Sequence, residues 1–181
     1  MNFKRHFVAL AVAFVALLVC GRMPGSQELQ LGNFALYGAL HALAVVATLE
    51  RAPSLPRCAL LIVLAACADG AMLYVGLFAA GALAALLAVG SLYVALGLCA
   101  LLGAIVYGLL LRGLVFPGLR PRRTLQIAAA CLVVSVLVEA VAHIRAPGQL
   151  VWIVGAWWLA FSSGLWIVQR RLHALGPQPD P

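Results

Sequence analysis

The sequence predicts an all-α integral membrane protein, a bundle of six transmembrane helices with both termini on the cytoplasmic side. Three observations point there. Hydrophobic residues make up 65% of the chain and charged residues 9%, whereas a soluble domain carries about a quarter charged residues. The apolar residues gather in runs close to the length that crosses a bilayer, about 20 residues for a core about 30 Å thick. The basic residues gather in the short segments between those runs. So few charges cannot cover a water-facing surface, and much of the exterior must face lipid. The length suits one polytopic domain spanning residues 1–181.

The first helix is expected over 6–20, behind Lys4 and Arg5. This run also has the form of a signal peptide: a basic start, an apolar stretch, then Cys20-Gly21. An uncleaved helix is the preferred reading, because the topology then closes. Gly21 to Gln30 reads as a polar loop. A second helix covers 31–49, and the loop Glu50 to Arg57 follows, with two prolines that oppose helix. From Cys58 to Leu111 the chain runs 54 residues without Lys or Arg, and its one acid is Asp69. That stretch fits two helices, 58–80 and 86–111, turning near Gly81. Arg112 to Thr124 reads as a basic loop. Helix five is expected over 125–143, the turn Ile144 to Gln149 follows, and helix six covers 150–169.

Orientation follows from the arginines. With the N-terminus inside, ten basic residues lie on the cytoplasmic side: Lys4, Arg5, Arg51, Arg57, Arg112, Arg120, Arg122, Arg123, Arg170 and Arg171. Arg22 and Arg145 lie outside. Basic residues are retained in the cytoplasm, so this asymmetry sets the topology. Fusing the long run into one span would place the Arg112–Arg123 segment outside, against the rule.

The same distribution excludes nucleic acid as a partner. The net charge is +7, but it is divided among separate segments and forms no single patch. The lipid bilayer is the implied partner, with a second copy or another membrane protein as further candidates. One lysine against eleven arginines is a composition associated with GC-rich bacterial genomes, so the expected location is the bacterial inner membrane. The cysteines Cys20, Cys58, Cys67, Cys99 and Cys131 show no C-x-x-C and no zinc spacing, and read as packing residues. No nucleotide-binding or hydrolase motif is present, no catalytic set is assigned, and no metal or cofactor is expected.

Ionisable residues in mid-membrane cost several kcal/mol unless paired or hydrated, which makes them functional candidates. His41 and Asp69 each lie about 15 Å into their helices, near the midplane. Helices two and three are antiparallel and adjacent, and small residues flank both positions: Gly38 and Ala42, Ala66 and Gly70. A His41–Asp69 contact is therefore expected, as a proton or cation site or as a bond holding two helices in register. Tyr37, one turn outward, is positioned to join His41. Glu139 and His143 share a face of helix five at i, i+4 spacing, with Ser135 one turn earlier. They read as an outer polar mouth or as interfacial residues. Ser162 and Ser163 read as packing residues. Of the tryptophans of helix six, Trp152 and Trp166 fit the interfaces, whereas Trp157 and Trp158 lie too deep for that and are expected inside the bundle.

Three functions fit. The first is a small transporter, channel-like protein or transporter subunit with a midplane His/Asp site. The second is a non-catalytic accessory, assembly or immunity protein. The third is a lipid-acting membrane enzyme using Glu139 and His143 for acid–base work. The topology has a direct test: a reporter fused within Arg112–Arg123 should be active only where the reporter works in the cytoplasm. Periplasmic activity at that site would invert the map.

Overall fold

The computed structural model describes residues 3–20, 31–49, 54–87, 92–142 and 150–174. Within these the chain forms six α-helices and no strand: α1 (Phe3–Cys20), α2 (Leu31–Val46), α3 (Leu55–Leu87), α4 (Leu92–Leu114), α5 (Pro121–Ala142) and α6 (Leu150–Ala174). By length and composition four stretches can cross a membrane: Leu55–Gly76, Gly97–Leu114, Pro121–Val138 and Val151–Arg170. A shorter apolar helical stretch covers Phe34–Val46.

The helix number agrees with the sequence, but several ends move, and proline and glycine explain why. Ser54 caps α3, and its carbonyl accepts from the backbone N–H groups of Arg57 and Cys58 at 2.9 and 3.1 Å. Pro56 falls in the first turn, where a missing N–H costs nothing, so α3 starts three residues before the expected Cys58. Pro121 is likewise the first residue of α5, a position its fixed φ suits. The helix expected from Leu125 thus begins four residues early. Pro117 follows the end of α4, which runs one turn past Leu111 to Leu114.

The largest correction is at Gly81. The expected turn between Ala80 and Leu86 is helix, and α3 continues to Leu87 for 33 residues, roughly 50 Å at 1.5 Å per residue. A lone glycine costs a helix about 1 kcal/mol and does not end it. The 88–91 segment that joins α3 to α4 lies outside the described residues.

Helices adjacent in sequence pack side by side, and α6 also packs against α1 and α2, closing the bundle. Each helix sorts its residues at helical spacing. On α1, His6, Leu10, Ala13 and Leu17 are buried, while Val8, Val12, Val15 and Val19 point outward. The outward faces of α3, α5 and α6 carry Leu60 and Val63, Val133 and Leu137, and Leu159 and Ile167. Fully enclosed polar side chains include His6, His41, Ser135 and Ser162. This is the reverse of a soluble domain, which keeps its polar groups outside.

Glycines bring neighbouring helices close at several points, among them Gly38 and Gly155. A Cβ on Gly38 would collide with the Ala65 carbonyl oxygen and lie 2.9 Å from the Asp69 Cβ. A Cβ on Gly155 would collide with the Phe14 ring, so α6 admits α1 at that point. Gly81, by contrast, has nothing within 4 Å of where a Cβ would stand. Gly38→Ala should therefore destabilise the protein by about 1–3 kcal/mol. Gly81→Ala should be neutral or stabilising by up to about 1 kcal/mol. Denaturant titration of both variants in detergent micelles, followed by circular dichroism, measures the contrast.

Candidate functional site

His41 lies at the centre of the bundle with no exposed surface. Four aromatic rings enclose it. Tyr107 of α4 stacks on one side at 4.9 Å between ring centroids, and Trp158 of α6 stacks on the other at 5.4 Å. Trp157 and Phe161 meet it edge-on at 5.2 and 5.8 Å. Its Nε2 is 3.3 Å from the Ser162 hydroxyl, and its Nδ1 has no hydrogen-bond partner.

The expected His41–Asp69 hydrogen bond is thus not formed, nor does Tyr37 bond to His41. The reason is helix rotation. Gly38 is the residue of α2 that faces Ala65 and Asp69 on α3. His41 lies three residues further on, about 60° around the helix. That offset turns its ring away from α3, towards α4 and α6. Tyr107 stacks on His41 and lies within electrostatic reach of Asp69, so the two expected partners share a neighbour with no hydrogen bond between them.

Asp69 opens instead into a cavity of about 80 Å³, to which α2 to α6 all contribute. Phe34 and Tyr37 form one side, their rings 5.4 Å apart. Trp157 and Trp158 form another, with Met72, Cys99 and Ser135 between. Among the described residues, neither a hydrogen bond nor an ion pair reaches the Asp69 carboxyl, and the residue is partly buried. Two neighbouring donors are engaged elsewhere: Trp157 Nε1 donates to the Ala100 carbonyl at 2.9 Å, and the Cys99 thiol to the Met72 carbonyl at 3.3 Å. The Ser135 hydroxyl and the Trp158 Nε1 are fully enclosed and have no partner among the described residues. Tyr37 therefore belongs to the Asp69 site, one turn outward of where the sequence placed its role.

Glu139 follows Ser135 by four residues on α5, but its side chain is not among those described, and His143 lies outside the described residues. The structure thus gathers Asp69, Tyr37 and Ser135 and leaves His41 apart.

A second buried histidine escaped the sequence reading. His6 Nδ1 is 2.9 Å from the Thr48 hydroxyl. That hydroxyl donates to the Val45 carbonyl at 2.8 Å, so it must accept from His6, which places the ring proton on Nδ1. The His6 Nε2 has no partner among the described residues. His6 opens the expected helix 6–20, directly behind Lys4 and Arg5, and no role is assigned to it there. The helical spacing of His6, Leu10, Ala13 and Leu17 is the signal that would have placed it inside. Trp157 and Trp158 are buried, as their depth in the span requires, and Arg170 covers Trp166 at 5.4 Å near the end of α6.

Among the described residues no three metal-binding side chains come together, and no disulfide joins Cys58, Cys67, Cys99 and Cys131 to one another. An unopposed carboxyl can hold a proton or a cation, and that is the chemistry the cavity offers. Comparison with known protein families, curated proteins and solved structures yields no match.

Ser162→Ala removes the hydrogen bond to His41 and leaves both ring nitrogens unpartnered. It should cost about 0.5–2 kcal/mol, the range of interhelical polar bonds. Ser163→Ala, at a site with no such bond, should cost less than about 0.5 kcal/mol. Equal effects in thermal unfolding would show that the His41–Ser162 bond carries no stability.

Proposed function

We propose that this chain is a multi-pass protein of the bacterial inner membrane, with both termini in the cytoplasm, that holds and passes a proton or small cation at Asp69. It acts as a small transporter, a channel-like protein or a transporter subunit. One observation supports this above the others: a carboxyl with no basic partner among the described residues faces a cavity inside a bundle whose outer faces are apolar. An ionisable group buried without a partner costs several kcal/mol, and a transiently bound cation or proton is the complement it lacks. Glu139, one turn beyond Ser135 in the sequence of α5, lines the outer approach in this reading. His41, held by Ser162 and four rings, positions the wall that Trp157 and Trp158 present to the cavity.

A second reading is an accessory or assembly protein that works through its surfaces. The observation that favours it is the pairing of His41 with Ser162 and of His6 with Thr48, the first joining α2 to α6 and the second joining α1 to the turn after α2. Transport separates the readings. Reconstituted in liposomes, the wild type should dissipate an imposed proton or monovalent-cation gradient, read by a trapped dye. Asp69→Asn, nearly identical in shape, should slow that flux at least tenfold. Wild-type vesicles as tight as empty ones would remove the transport reading and leave the accessory one.

A further inference from the structure

We propose that the Asp69 cavity takes a small organic ammonium ion, an amine cation bearing one to three methyl groups, in preference to an inorganic cation. This rests on the reading of Asp69 as a cation site and narrows its ligand. The argument starts from what surrounds the carboxyl. A hard metal ion that sheds its water needs about six oxygen ligands. Here the wall offers the Asp69 carboxyl, the Ser135 hydroxyl and the Tyr37 phenol, and the rest is rings and apolar side chains. Phe34, Tyr37, Trp157 and Trp158 present four aromatic side chains to one small space. Aromatic faces attract a cation by their quadrupoles, most strongly when it is desolvated, and ammonium ions carrying methyl groups suit such cages because they shed water easily.

Size agrees. A volume of about 80 Å³, at roughly 10–15 Å³ for each water on the same measure, is room for several waters and so for a methylated ammonium head. A tetraethylammonium ion is bulkier and has no N–H to donate to the carboxyl. The polar groups agree as well. An ammonium bearing at least one N–H can donate to Asp69, and the enclosed Ser135 hydroxyl, which has no partner among the described residues, can accept a second N–H where the ion carries one. The methyl groups then face the rings.

The test uses the purified full-length protein in detergent, with its tryptophan fluorescence as the reporter, since Trp157 and Trp158 line the cavity. Methylammonium, trimethylammonium, tetraethylammonium, sodium and potassium chlorides are titrated separately at constant pH and ionic strength. The expected result is a saturable change with methylammonium and trimethylammonium, and at least tenfold weaker binding of the other three. Asp69→Asn should weaken trimethylammonium binding at least tenfold. Phe34→Ala, which keeps the carboxyl, should weaken it several-fold, with circular dichroism and gel filtration showing that both variants fold. Sodium or potassium binding as tightly as the amines would overturn the proposal, as would unchanged binding in Asp69→Asn. Absence of amine binding alongside Asp69-dependent proton flux in liposomes would overturn this inference and leave the proton site standing. Absence of both would overturn both.

Discussion

Gly38 has no side chain, and α2 uses that space to lay its backbone against the Ala65 carbonyl of α3. The rest of the interior depends on this approach. It sets the rotation of α2 about its own axis, and rotation decides where each polar group points. With Gly38 against α3, Asp69 lies beside α2 but meets glycine there, not histidine. His41 turns inward to α4 and α6 instead. A larger residue at 38 would push the two backbones apart and alter both environments together.

The aromatic residues of α6 complete what that contact begins. Trp157, Trp158 and Phe161 enclose His41, and both tryptophans also wall the Asp69 cavity. Trp157 reaches across to bond the Ala100 carbonyl on α4, which fixes its indole in place. The two sites are therefore mechanically joined although His41 and Asp69 do not bond. In an apolar surround each buried polar group needs a partner from within the bundle. The histidines find one each, in Ser162 and Thr48. Asp69 finds none among the described residues, and this contrast marks it as the site where a ligand would complete the structure.

Much of the site was legible residue by residue. Asp69 stands out in a 54-residue apolar run because no other charge is there, and the depth of Trp157 and Trp158 in their span already argued for an interior role. The partners were not legible. The small residues around His41 and Asp69 predict close helices but not which faces meet, and a rotation of about 60° separates the expected pair from the observed arrangement. His6 was hidden by its place at the very start of the first span, where depth gives no signal, and Ser162 by the frequency with which serine merely packs.

The sequence by itself determined the helical class, the number of helices and the apolar runs that build them, because run length and charge placement are local properties of the chain. It did not determine the end of α3, since one glycine weakens a helix without stopping it. Only the tertiary structure decided that Asp69, Tyr37 and Ser135 share a cavity while His41 sits in an aromatic cage. Those outcomes depend on contacts between residues far apart in the chain, above all Gly38 with Ala65, and no local pattern encodes the angle at which two helices meet.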